Sequence, residues 1–207
     1  EVQFIDDHPL PEAQRRELNE MLIDLAPQYD AVLVNDFGHG LITGDTVDTI
    51  CGLDTFIAVN AQTNSANRGY NLITKYPRAD YICIDSPEAR LAVGDQFSDL
   101  ETIASRSLPA RIDCGKIILT HGRHGCTTFE SGVGSQTIPA LTQTVVDTMG
   151  AGDAFFAVTA LLAKAGGRAA DLGLIGNMVG ALKVGIVGHR ESIDKVSVIK
   201  ALTGALK

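Results

Sequence analysis

The sequence predicts an α/β domain built on a mostly parallel sheet, and three observations predict it. Short apolar, β-branched runs of strand length alternate along the chain with longer amphipathic or small-residue stretches. Each of the first four runs ends in a polar or glycine-bearing break, after Val34, Val59, Ile84 and Thr120. The chain has 207 residues, 45% hydrophobic and 20% charged, enough for one good-sized core of ordinary soluble composition. Alternating strands and helices imply a sheet covered on both faces. Ligands bind such sheets beyond the strand C-termini, so the four breaks are expected to converge on one composite site.

Taken in order, residues 11–26 carry Leu18, Met21, Leu22 and Leu25 among charges, the spacing of an amphipathic helix. Residues 31–35 form a first strand, broken by Asp36-Phe37-Gly38-His39-Gly40. Thr43 and Asp45 open the next helix, through Val47, Ile50 and Leu53. Residues 55–59 are again β-branched and apolar, and 60–69 read as a polar loop too long for a tight turn. A third strand at 81–84 is closed by Asp85-Ser86-Pro87-Glu88, which opens a helix through Ala89, Leu91 and Ala92. A further helix is expected near 98–107. The fourth strand, 116–120, ends in His121-Gly122-Arg123-His124-Gly125. Residues 126–129 and 136–138 suit a small hairpin, and helices are expected at 154–165, 169–187 and 195–206. There is no internal repeat or linker, so one domain is the economical count.

Composition removes several functions. A net charge of −8 leaves no basic face for nucleic acid. No segment approaches the roughly 18 consecutive apolar residues of a membrane span. Residues 1–7 have neither the basic end nor the apolar core of a signal peptide. Cys51, Cys83, Cys114 and Cys126 lack paired metal or redox spacing and read as buried thiols of a reducing, cytoplasmic compartment. His121 and His124 lie three apart without a third ligand nearby, so no metal site is expected there. The chain begins at Glu1 and is expected to start mid-protein.

Asp147-Thr148-Met149-Gly150-Ala151-Gly152-Asp153 carries the chemistry. It leads into an apolar, small-residue run that reads as a buried helix, so Gly150, Ala151 and Gly152 are expected on a tight loop at its N-terminus. Unpaired N–H groups and the positive helix end favour an anion there. Asp153, in the first turn, places a carboxylate beside that anion hole, which points to phosphoryl transfer. A plain helix cap after an ordinary glycine turn is the alternative.

This heptad resembles the C-terminal signature of the ribokinase-like (PfkB) carbohydrate kinases, Asp-Thr-x-Gly-Ala-Gly-Asp. The resemblance implies a layered α/β/α sandwich, of which residues 1–207 match the C-terminal, nucleotide-binding and catalytic portion. The family's first strands and small β lid have no counterpart here. It implies ATP and Mg²⁺, with Asp153 as base and the 150–152 loop as anion hole. Asp147 and Thr148 are placed beside the nucleotide. Thr120-x-Gly122-x-x-Gly125 resembles the segment along the nucleotide phosphates, although a hairpin turn explains its glycines equally well. Asn177, followed by small residues, resembles the border of the purine pocket; close helix packing is the other reading. A monovalent cation is sometimes held at the loop matching Gly188-His189-Arg190.

For the metal, the family has Asn-x-x-Glu where this chain has Asp85 and Glu88, so Glu88 carries over and direct contact by Asp85 is open. The same pair is also a capping box. On the acceptor side, 36–40 resembles the Asp-Tyr-Gly-Lys-Gly loop of the heptose-phosphate kinase branch, found in bifunctional ADP-heptose synthesis proteins. This assigns Asp36 and Gly38 to a sugar or sugar-phosphate substrate, with His39 in place of the lysine. The stretch from Asn60 to Asn64 replaces an Asp-Pro-Lys type segment. Arg68 suits a sugar phosphate as a fork donor, or is a solvated loop residue. The family's lid often makes dimers, so a homodimer is compatible. The expected activity is a carbohydrate kinase; the alternative is a non-catalytic nucleotide-binding or regulatory domain of a larger sugar-nucleotide protein.

Overall fold

The computed structural model describes residues 8–63, 67–141, 145–188 and 190–205. Helix α1 (Glu12–Leu25) precedes strand β1 (Ala31–Asp36), and α2 (Gly44–Gly52) leads to β2 (Phe56–Ala61). Strand β3 (Tyr81–Asp85) runs directly into α3 (Ser86–Val93). A three-residue helix α4 (Leu100–Thr102) widens into a π turn at Ile103–Ser107 before β4 (Lys116–Thr120). Strands β5 (Cys126–Glu130) and β6 (Gly134–Ile138) form a hairpin, followed by α5 (Ala151–Lys164), α6 (Ala169–Lys183) and α7 (Lys195–Ala205).

The six strands lie in sequence order in one sheet. β1 to β4 pair in parallel, and β5 and β6 add antiparallel at one edge. Strand side chains alternate between faces, so each strand feeds two cores. Ile57, Val59, Ile82, Ile84, Ile117 and Leu119 pack with Val47 and Ile50 of α2 and Ala89 and Ala92 of α3. Ala58, Tyr81, Cys83 and Ile118 point the other way, onto Phe155, Phe156, Ala160 and Leu172 of α5 and α6. The Tyr81 and Phe156 rings stack 6.3 Å apart, and the Tyr81 hydroxyl donates to Thr159 at 2.7 Å, which fixes α5 against the sheet. Right-handed crossovers place every helix between parallel strands on one face and leave the other for α5 and α6.

Several boundaries differ from the sequence expectation. The polar residues that end the apolar runs belong to the ladder: Asn35 pairs with Asn60 and Asp36 with Ala61. Asn60 can lie in a buried strand because its amide donates to the Cys83 carbonyl at 2.7 Å. α5 begins at Ala151 rather than 154, because Gly150 makes the entry turn alone in the left-handed region (φ 71°). Ala151 and Gly152 are thus in the helix, not in a loop before it. α6 stops at Lys183 because 184–186 tighten into three-residue turns, with Gly185 donating to Leu182 and Ile186 to Lys183. The expected 98–107 helix runs from Leu100 to Ser107, capped by Asp99 accepting from Thr102 N at 2.6 Å and passing into the π form at Ile103. Cys83, Cys114 and Cys126 are buried free thiols, with Cys114 and Cys126 pushed up to about 12 by burial; Cys51 is half-buried. Among the described residues no helix is long and apolar enough to cross a membrane. Residues 1–7, Asn64, His189 and Leu206 lie outside the described residues.

Gly125 joins β4 to β5 at φ 91°, and a Cβ there would lie 2.0 Å from the Ile138 carbonyl oxygen. Gly125→Ala is therefore expected to destabilise by about 3 kcal/mol through backbone strain and displacement of β6. Urea denaturation checks this; a loss below ~0.5 kcal/mol would show that the hairpin adapts.

Candidate active site

The C-terminal ends of β3 and β4, the β4–β5 turn and the N-terminus of α5 enclose a cavity of about 320 Å³, which the ends of β1 and β2 do not line. Its floor is Thr148, Ala151, Gly152 and Phe155, where α5 begins. Asp85 and Thr120 at the strand ends, with Gly122, Arg123 and Gly125, form one side. Asn177, Gly180, Ala181 and Val184 of α6 and its C-terminal turn form the other, and Ala140, Leu141 and Val145 close it. Eight of the residues singled out from the sequence line this one space. They include both glycines of the Thr120 segment, two residues of the heptad's Gly-Ala-Gly, and Asn177.

Its chemistry is that of an anion site opening onto an apolar slot. Ala151 N–H donates back to Thr148 O at 3.2 Å and Ala154 N–H to Gly150 O at 3.0 Å. In helix geometry this leaves the Gly152 and Asp153 N–H groups, in the first turn, without intrahelical acceptors. An incoming anion meets these two donors and the positive helix end. Leu141, Val145, Ala181 and Val184 supply a wall suited to a flat apolar group. Asn177 serves the fold as well as the lining. Its amide donates to the Ile138 and Pro139 carbonyls at 3.1 and 2.9 Å, holding the end of β6 on α6.

Asp153 stands at the border between this cavity and a second cluster. Gln62, just beyond β2, donates from Nε2 to Asp153 Oδ1 at 3.0 Å. Gln62 is itself fixed, its N–H donating to the Asp36 carbonyl at 2.8 Å and its carbonyl accepting from Asn71 at 2.9 Å. Its neighbour Thr63 donates N–H to Glu88 Oε1 at 2.8 Å. One short segment thus touches both the base candidate and the metal candidate. Sequence reading passed over Gln62; its signal was the strand period, which places residue 62 two beyond Asn60 on the α5 side.

Asp85 and Glu88 do form the capping box: Glu88 N donates to Asp85 Oδ1 at 3.0 Å and Asp85 N to Glu88 Oε2 at 3.2 Å. The capping role and the site position coexist in the same residues. Burial, and then the neighbouring Asp85 carboxylate, push the Glu88 carboxyl up to about 7. Asp85 is open to solvent at the cavity edge, and the surrounding protein raises it more modestly. Among the described residues no three His, Cys, Asp or Glu side chains form a metal cluster. The donor set fits Mg²⁺ held largely by phosphate oxygens, with Glu88 and Asp85 at its margin.

The other expected residues sit apart from the cavity. Asp147 lies behind the floor, accepting from Met149 N and Gly188 N at 3.0 and 2.7 Å. Asp36 is 3% exposed, and its carboxylate is engaged by Tyr76 OH at 2.7 Å, Gly38 N at 3.0 Å, Asn71 and Lys75. A carboxylate so enclosed holds the loops around it together. Gly38 backs onto Asn67 and Asn71. Arg68 is exposed on the 67–70 turn.

The profile of the pfkB family carbohydrate kinases matches residues 42–196. A bifunctional protein HldE from Citrifermentans bemidjiense is 25% identical over 162 residues, which are 77% of this chain and 33% of that protein. The chain spans about a third of the length of such curated relatives. Phosphofructokinase-2 from Escherichia coli, solved in complex with potassium, superimposes with a TM-score of 0.78 at 12% identity, covering 96% of this chain and 64% of its own. Ribokinase from Thermotoga maritima does so with a TM-score of 0.69 at 17% identity, covering 89% and 61%. At these identities the structural likeness carries the fold.

The raised Glu88 carboxyl has a consequence for stability. Its folded pKa of about 7 lies above the ordinary 4.5, so the folded state holds the proton more tightly. The stability it contributes is full below about pH 4.5 and is lost as pH rises through 7. Glu88→Gln removes the titrating group and is expected to flatten this decline, so that its stability changes little between pH 5 and pH 8 while wild type loses on the order of 1 kcal/mol, allowing for partial exposure. Thermal melts at pH 5 and pH 8 check it; parallel slopes in the two proteins would refute the assignment.

Proposed function

We propose that this chain, which belongs to the pfkB family of carbohydrate kinases, transfers the γ-phosphoryl of ATP to a hydroxyl of a sugar or sugar phosphate. The observation that carries the reading is the position of Asp153. It shares the first turn of α5 with the unpaired N–H groups at the cavity floor, and its carboxylate is tied by Gln62 to the loops on the far side. Base and anion hole are therefore one helical turn. A nucleotide in the cavity would set its phosphates on the Gly152 and Asp153 amides, and an acceptor hydroxyl would approach from the Gln62 side.

In the reaction, the bond between the γ-phosphorus and the β-bridging oxygen breaks as the acceptor oxygen attacks. The hydroxyl proton passes to Asp153. Charge growing on the equatorial oxygens is met by the two amides, which are already aimed and need not reorganise. Glu88 and Asp85 would stand beside a Mg²⁺ ion, which when bound would supply further neutralisation of the phosphate charge. Gln62 holds the Asp153 carboxylate in line. Asp36 and Gly38 serve the acceptor through the loops they hold, and Arg68, on an exposed turn, is placed to meet a substrate phosphate. Residues 1–207 would be the nucleotide-binding and catalytic portion of a longer kinase domain. Among acceptors, a heptose phosphate is favoured by the 36–40 loop and by relatives named as bifunctional protein HldE.

The test is ADP release by the full-length natural protein over a panel of sugars and sugar phosphates. Turnover with at least one is expected; tight ATP binding without turnover on any acceptor would instead favour a nucleotide-binding domain. Asp153→Asn is expected to lower kcat by roughly 10³-fold with ATP affinity within a few-fold. Activity surviving within a few-fold would remove Asp153 as the base. Gln62→Leu should lower kcat about tenfold while KM for ATP stays within about twofold, the signature of a misaligned base. An unchanged kcat would assign Gln62 to folding alone.

A further inference from the structure

Lys183 is the last residue of α6, and it is 5% exposed. A lysine that deep must bring its ammonium to acceptors. Its Nζ donates to the Gly188 carbonyl, closing the short turn that follows the helix. Other groups of the same turn are bonded to the start of the signature heptad. Val184 O accepts from Val146 N and Asp147 N at 2.8 and 3.1 Å, and Gly188 N donates to Asp147 Oδ2 at 2.7 Å. The second oxygen of Asp147 accepts from Met149 N, two residues before α5 begins. A continuous set of bonds therefore runs from the ammonium, through Gly188 and Asp147, to the turn that presents the anion-binding amides.

In the family a monovalent cation is sometimes held at the loop matching this one, and one structural neighbour was solved with potassium. The donors here do not fit such an ion. The Gly188 carbonyl, an oxygen of this turn open to a cation only if nothing else claims it, already faces an ammonium. A second positive charge on that oxygen would lie a few ångströms from the first, in a partly buried setting where repulsion is poorly screened.

We infer that Lys183 is a positioning residue that takes the place of a bound monovalent cation. Its charge holds the 184–188 turn on Asp147 and so keeps the first turn of α5 aimed at the phosphates. The inference rests on the proposed nucleotide site, but it can be read from ADP binding alone. Nucleotide binding and turnover should then be indifferent to K⁺.

The experiment measures the ADP dissociation constant of the full-length natural protein by calorimetry, in potassium and tetramethylammonium chloride at equal ionic strength. Wild type is expected to change by less than about twofold between the salts. Lys183→Met should bind at least about tenfold more weakly in tetramethylammonium and recover most of that loss in potassium, which can now enter the vacated place. Lys183→Arg, which keeps a cation there, should remain indifferent to the salt. Wild-type binding more than about fivefold tighter in potassium would overturn the inference, as would Lys183→Met binding like wild type in tetramethylammonium. Should Lys183→Met fail to fold, the wild-type and Lys183→Arg salt responses decide alone. Absence of turnover on every acceptor would overturn the proposed reaction while these affinities still judge Lys183; absence of ADP binding in any salt would overturn both.

Discussion

A carboxylate taken out of water must be surrounded by donors, and Asp36 imposes that requirement on the whole acceptor side of the molecule. It lies at the end of β1 and gathers Gly38, Asn71, Tyr76 and Lys75 around its two oxygens. Two segments, the turn at Gly38 and the stretch 71–76, must meet there. Once they do, its own carbonyl receives Gln62 N–H, and Gln62 is left pointing at Asp153. Thr63, the next residue, is brought to Glu88. The alignment of the candidate base and metal carboxylates thus traces back to a buried charge that touches neither. Removing one of its partners would leave that charge uncompensated, so the network is expected to be far less tolerant than its distance from the cavity implies.

The electrostatics of the cavity follow a similar logic. The chain carries a net charge of −8, and Asp85, Glu88 and Asp153 all stand near the place where an anion would rest. Arg123 is a cationic side chain in the lining. The remaining attraction comes from neutral dipoles: the amides of the α5 turn and the helix behind them. On the proposed function, a phosphate chain in such a site would call for a divalent cation beside it. Burial adds to this by keeping the Glu88 carboxyl near 7, so that its charge develops readily when a cation approaches.

The fold was legible because its signal is periodic and local. Alternation within the runs at 57–59, 82–84 and 117–119 assigns successive residues to opposite faces, and those faces are the two cores observed. The glycine-rich heptad was legible as a helix entry because Gly150 takes the left-handed turn (φ 71°), which few residue types permit. What could not be read is the long-range partnering. Nothing local in Asn-Ala-Gln predicts that residue 62 meets residue 153, since that contact is made by the sheet and not by the segment. The enclosure of Asp36 was hidden for the same reason: it is made by Tyr76 and Lys75, about forty residues away.

Helix α6 shows why the structural and functional readings of one motif need not compete. A Cβ on Gly173 would meet Thr128 at 2.6 Å, and one on Gly176 would meet the Phe155 ring at 2.3 Å, so these glycines exist for contact. Gly180, one turn on, has open space where a Cβ would stand, and with Ala181 it lines the cavity. The two demands share a stripe because the stripe passes from the core, past the end of the sheet, into the site. Close packing at Gly176 seats the Phe155 ring in the cavity floor, next to the first turn of α5. Small residues at the start of the stripe therefore position the anion hole, while small residues at its end leave room for whatever binds there. A single substitution test on such a helix would report packing or ligand access according to the turn it strikes.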